Sequence, residues 1–254
     1  MRWLREWRKR RILQAWQPDP GLWKEILSLP LLAGLSTGEQ EKLRERVILF
    51  LHDKAFSAAM GAEVTEWVQL QVAAQACLLA LNLDERVYAG WREIILYPAE
   101  FVPHRQFVDE HGVVHETRYP LMGEAWLGGP VILSAAEIDT SVARDGMNVV
   151  LHEFAHKLDM QDGQADGLPV LQADMRVRDW ANAFGAAYAD FCRRVEAGED
   201  TVVDPYAAES PAEFFAVLSE VFFETPAILA DAYPDVYQQM RLYYRQHPLS
   251  RFPA

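Results

Sequence analysis

Cysteine is almost missing from this chain. Cys77 and Cys192 are its two cysteines in 254 residues, too few and too far apart for a disulfide framework or a cysteine-based zinc site. Both fall in apolar stretches of helical pattern, where a buried free thiol is expected. No apolar run reaches the roughly 20 residues that a membrane-crossing helix needs. The opening segment Met1 to Ile12 has positive charge but no apolar stretch behind it, so no secretory leader is expected and a cytoplasmic location is. Basic residues are scarce too: 24 Lys and Arg stand against 37 Asp and Glu, a net charge of −13. They are also unevenly spread. Arg2, Arg5, Arg8, Lys9, Arg10 and Arg11 against Glu6 put +5 on the first sixteen residues, which leaves −18 for the remainder. So acidic a body argues against direct nucleic-acid binding. The basic arm also carries Trp3, Leu4, Trp7, Leu13 and Trp16. The expectation is a helix docked on the body through its tryptophans, in preference to a membrane or partner contact.

Half the residues are hydrophobic and about a quarter are charged, as in a soluble globular protein with a sizeable core. The first eighty residues read as helical, with helices to about residue 17, over 37–54 and over 65–81; Thr37-Gly-Glu-Gln40 resembles a capping box. The middle is strand-like at 91–97 and 130–134, with a hairpin formed by 106–108 and 113–115 around Asp109-Glu-His-Gly112. Helices return at about 178–196, 211–224 and 233–246. The fold class expected is α+β, mostly helical, with a small antiparallel sheet. No linker stands out, so 1–254 is read as a single domain, with a helical portion over 1–85 and the core over 86–254.

The chemistry concentrates in His152-Glu153-Phe154-Ala155-His156, an H-E-x-x-H pattern inside an apolar helical segment. Two histidines four residues apart stand about 40° apart around a helix, one turn above the other, so both can reach one zinc ion. Glu153 lies at the edge of that face, where it can take a proton from a water at the metal. Asp145 is the predicted N-cap and Asp162-Gly163 the predicted stop.

A catalytic zinc needs a third protein ligand. Asp162 is one option, although Asp159 stands where the intervening turn wants glycine. Histidines 52, 104, 111, 115 and 247 have no spacing that recommends them. A later helix is the third source: Ser210 can cap it, Pro211 opens it, and Glu213 lies in its first turn among aromatic residues. Glu209 and Glu220 compete there, Glu220 being placed to accept a bond from a ligand histidine.

The two blocks His152-Glu-Phe-Ala-His-Lys-Leu-Asp159 and Tyr206-Ala-Ala-Glu-Ser-Pro-Ala-Glu213-Phe-Phe resemble the Mlc titration factor A family of bacterial cytosolic zinc peptidases. That family is similar in its active site to the catalytic domain of anthrax lethal factor, which has a Tyr seven residues before a ligand Glu. The resemblance implies a zincin-like core holding one Zn2+, with His152, His156 and Glu213 as ligands. It further implies Glu153 as general base and Tyr206 as a phenol near the reacting carbonyl. Peptides are the implied substrates, with aminopeptidase action, and a glucose-responsive repressor, Mlc, is the implied partner. A non-catalytic, repressor-sequestering protein is the alternative that the same resemblance carries. The strand at 130–134 is expected to form the edge on which a peptide adds.

Overall fold

Most helix starts in the computed structural model, which describes residues 2–100, 105–108, 114–117, 122–140, 144 and 146–252, are marked by a polar cap. Helix α1 (Arg2–Ala15) is followed by α2 (Pro20–Leu27), α3 (Thr37–Asp53), strand β1 (Ala55–Ala58) and α4 (Glu66–Leu79). Asp19 caps α2 and Thr65 caps α4. At α3 the capping box is Ser36 with Glu39, one residue earlier than predicted. Next come β2 (Glu93–Tyr97), β3 (Arg105–Val108), β4 (Val114–Thr117), β5 (Gly123–Ala125), β6 (Val131–Ser134) and α5 (Ala135–Thr140). Helices α6 (Val149–Asp159), α7 (Val177–Glu196), α8 (Pro211–Glu224), α9 (Pro226–Ala232) and α10 (Pro234–Tyr244) complete the order. The class is α+β and mostly helical, as expected.

The main sheet is mixed, which corrects the expected antiparallel one. Its four strands run in the order β1-β2-β6-β5. Strands β1, β2 and β6 are mutually parallel, with Ala55 beside Glu93 and Ile94 beside Val131, and β5 alone runs antiparallel to β6. The cause is β1, a four-residue Ala-Phe-Ser-Ala strand too short to show a period of two inside a region that reads as helical. Helix α4 is then a crossover connection, and a crossover returns the chain parallel to the strand it left. Strands β3 and β4 form the separate antiparallel pair that was expected; the tight turn predicted between them lies outside the described residues.

A second correction concerns the substrate edge. Strand β6 lies between β2 and β5, so it is not an edge, and the outer strand on that side is β5. Helix α6 packs against β5, α4 and α8. Its Phe154 is fully buried, with ring centroids 5.7 Å from Phe50, 5.2 Å from Tyr88 and 5.9 Å from Trp91. One side chain thus ties α6 to α3 and to the approach to β2.

Helix α1 does dock, but not through its tryptophans. Lys9 pairs with Glu85 at 2.6 Å and Glu45 at 3.5 Å, and Ile12 and Leu13 are half-buried. Trp3, Trp7 and Trp16 remain 73%, 49% and 40% exposed. Helical spacing explains this: the face that holds Lys9, Ile12 and Leu13 leaves Trp3 and Trp7 on the opposite side. Among the described residues no helix is long and apolar enough to cross a membrane.

Candidate metal centre

Two capped helix starts set the geometry. Asn148 caps α6 by accepting from Leu151 N–H at 2.9 Å; the predicted cap, Asp145, lies outside the described residues. Ser210 caps α8 by accepting from Glu213 N–H at 3.1 Å, with Pro211 in the first turn. The two helices pack against one another, so His152 and His156 on α6 face the first turn of α8.

There the three expected ligands meet. Glu213 Oε2 lies 3.0 Å from His152 Nε2 and 3.2 Å from His156 Nε2, and the two histidine nitrogens are 3.1 Å apart. Donors bound at about 2.0–2.1 Å to a tetrahedral ion stand roughly 3.3 Å from each other, so this triangle has the size that a small divalent cation needs. The electrostatics agree. Burial alone would lower the proton affinity of His152, but the Glu213 and Glu220 carboxylates raise it well above the usual imidazole range. Burial would likewise raise the Glu213 carboxyl, yet its bonds to His152 and His156 hold it well below the usual carboxylate range. The centre attracts positive charge.

A layer of hydrogen bonds fixes these side chains. His152 Nδ1 lies 2.7 Å from Glu220 Oε1, so a donating Nδ1–H directs the Nε2 lone pair at the cluster. Asn148 N–H also donates to Glu220, and Asn148 Nδ2 donates to Glu224 Oε1 at 2.8 Å. Gly146 N–H reaches Glu224 Oε2 at 3.0 Å. Glu213, Glu220 and Glu224 stand at i, i+7 and i+11, within about 40° of one another on α8. That spacing is a readable signal, although the sequence reading used only its first two members.

Glu153 is buried, and burial raises its carboxyl above the usual range. Among the described residues, neither its Oε2 nor His156 Nδ1 has a hydrogen-bond partner. Strand β5 passes directly over it: a Cβ built on Gly123 would fall 2.5 Å from Glu153 Oε1 and 2.8 Å from Val149 Cγ2. Only glycine leaves room there. Sequence reasoning missed Gly123, because nothing local marks a residue whose constraint comes from a helix about thirty positions away.

Tyr206 sits in a 3-10 turn at Pro205–Ala208, capped by Asp204, which accepts from Tyr206 N–H at 2.9 Å. Its ring centroid is 6.2 Å from that of His152, and the side chain is 39% exposed.

The alternative ligands do not join. Asp162 is exposed and accepts from Gln164 N–H at 3.1 Å; Glu209 is exposed as well. Asp159 needs no left-handed turn, being helical at φ −63° and ψ −45°, and the left-handed residue is Gly163 at φ 97°. Buried Asp159 instead accepts from Gly167 N–H at 2.9 Å, while Trp180 Nε1 donates to Gly167 O at 3.0 Å. Gly167, at φ 78°, lies so close to α8 that a Cβ would come within 2.4 Å of Pro211 O. The end of α6 therefore braces the turn that carries Glu213. His52 and His247 are not in the cluster; positions 104 and 111, and the side chain of His115, lie outside the described residues.

Comparison with known proteins agrees with this geometry. The glucose-regulated metallo-peptidase M90 family matches residues 4–245. A Klebsiella pneumoniae protein named Mlc titration factor A is 38% identical over 90% of this chain and 87% of its own length. One of the same name from Escherichia coli is 37% identical over the same shares. An uncharacterized protein of Synechocystis is 39% identical over 97% of this chain and 90% of its own.

Proposed function

The chain belongs to the glucose-regulated metallo-peptidase M90 family, and on that premise we propose that it is a zinc-dependent peptidase of aminopeptidase type. The observation that carries this reading is the triangle of His152 Nε2, His156 Nε2 and Glu213 Oε2, with sides of 3.0–3.2 Å. These three would hold one zinc ion per chain, in a single domain over 1–254. When bound, zinc supplies Lewis acidity, which acidifies water and polarises a carbonyl. Glu153 accepts the water proton and returns it to the leaving amine. Its burial beneath Gly123 keeps the carboxylate in one place, and a carboxyl of raised pKa suits both halves of that transfer. Tyr206, beside His152 and partly exposed, donates a hydrogen bond to the oxyanion, an interaction of about 2–4 kcal/mol by analogy with other such donors. The peptide adds along the outer strand β5, next to Glu153.

Peptide-anilide turnover measured with zinc content tests the proposal. Glu153→Gln is expected to keep its zinc and lose activity by about 100-fold or more. Tyr206→Phe should lower kcat more than it raises KM. Glu213→Ala should lose zinc. Full turnover by the Glu153 variant would remove the mechanism, and undiminished zinc in the Glu213 variant would remove the ligand set.

A second reading rests on the name of the Klebsiella and Escherichia relatives, which speaks of titrating Mlc. On it the chain sequesters a repressor, and the metal serves structure or regulation. A Glu153→Gln protein that still captures the repressor while hydrolysing nothing separates binding from catalysis.

A further inference from the structure

The part of the molecule that the peptidase chemistry leaves unused is α1. Its two tryptophans, Trp3 and Trp7, face outward. Trp3, Leu4 and Trp7 are 73%, 56% and 49% exposed, on the side opposite the Lys9 ion pairs that tie the helix down. Arg5, Arg8, Arg10 and Arg11 are exposed around them, and the Arg11 guanidinium lies 4.8 Å from the Trp7 ring centre. Beside α1 runs a groove of about 760 Å³, with Trp7, Arg8 and Arg11 of α1 and Trp16 just past its end on one wall and Leu51 and Phe56 on the other. The body therefore leaves much of this helix's apolar surface uncovered.

We propose that α1 is a docking surface for an anionic lipid bilayer, on which the helix lies parallel to the membrane plane. Tryptophan is the side chain best suited to the boundary between headgroups and acyl chains, since its ring is apolar and its N–H can stay wet. Arginines flanking such a ring reach sideways to lipid phosphates while their stems cover apolar surface. Charge points the same way. The first sixteen residues carry +5 on a chain whose remainder carries −18, so an anionic surface is attracted to this face and to no other part of the chain as a whole. Electrostatic interactions fade beyond about 8 Å at physiological ionic strength. A bilayer against the outer face of a 14-residue helix thus senses mainly the arginines. Nucleic acid would match the arginines but leave Trp3 and Leu4 without an apolar partner.

The test is co-sedimentation of the full chain with extruded vesicles, either of phosphatidylcholine alone or of phosphatidylcholine mixed with phosphatidylglycerol. The expected result is binding to the anionic vesicles at least about tenfold tighter than to the neutral ones, weakening as salt is raised. Tryptophan emission should shift to the blue on binding. Arg5→Gln with Arg8→Gln and Arg10→Gln should abolish the preference for anionic lipid, and Trp3→Ala with Trp7→Ala should weaken binding at least about tenfold. Peptide-anilide turnover and thermal unfolding of both variants should match the parent, because none of these residues touches the metal centre. Failure to bind anionic vesicles at low salt overturns the proposal. So does equal binding by the parent and the arginine variant. A concentration-dependent dimer mass that the arginine variant loses, without vesicle binding, would assign the surface to a second copy of the acidic body instead.

Discussion

Gly123 and Glu153 constrain each other through a contact of van der Waals kind. With a Cβ at position 123 the Glu153 carboxylate has to move, since the built atom falls 2.5 Å from Oε1. Gly123→Ala is therefore expected to lower kcat on the order of 100-fold, the effect of displacing a reacting group by about 1 Å, with zinc content unchanged. An unaltered kcat would show that the carboxylate has slack. Asp159 allows a different measurement. Burial raises its carboxyl from 3.8 to about 6, so between those values the folded chain holds more protons than the unfolded one. Stability must then fall as pH rises from about 4 to about 6, by up to about 3 kcal/mol for this group, and level off above. Asp159→Asn keeps an acceptor for Gly167 N–H and removes the charge. Metal-free parent and variant, melted side by side from pH 4 to 7, should diverge over that window, the variant being the more stable at its upper end; parallel curves would mean that Asp159 is solvated or paired.

Helix starts matter to this site because the proposed ligands sit in or next to them. Ser210 accepts from Glu213 N–H, the backbone of the proposed third ligand itself. Ser210→Ala should cost about 1 kcal/mol of stability and also weaken zinc retention against a chelator, as the first turn of α8 frays. A loss of stability with no change in retention would show that the Gly167 brace suffices. In the core, Phe154→Ala should cost about 3–5 kcal/mol, since the ring joins Phe50, Tyr88 and Trp91. Denaturant titration reads that directly. The Ser210-Pro211 start of α8 and the long helices were legible in advance, because a Ser-Pro pair and the 3.6-residue apolar period act within a few positions of one another; the cap of α6 was not, since Asn148 holds the place expected for Asp145. Strands β1 and β5, of four and three residues, were not legible. They are too short to carry a period, and their partners lie far along the chain.

For the whole molecule, a metal held by His152, His156 and Glu213 would be a clasp between α6 and α8. Without a cation, Glu213 and Glu220 face each other across His152 with only the imidazole between them. Chelation should lower the melting temperature of the parent, by an amount equivalent to about 4 kcal/mol when zinc had been present at a thousand times its dissociation constant. Glu213→Ala should show a much smaller shift, and equal shifts would place the stabilising ion elsewhere.

Composition, charge and one helical spacing were enough to establish an α+β chain without a disulfide framework, with an acidic body, a basic arm and two histidines on one face. Those are local or additive properties, and they survive any arrangement of the elements. Folding had to decide the rest, because it depends on which distant segments touch. Packing α6 on α8 chose Glu213 over Asp162 and brought Glu220 and Glu224 behind the histidines. The crossover through α4 made β1 and β2 parallel, and the antiparallel pairing of β5 on β6 put β5 at an edge, so that a glycine came to lie on the Glu153 carboxylate. The register of α1 on Lys9 turned its tryptophans away from the body and toward whatever lies outside.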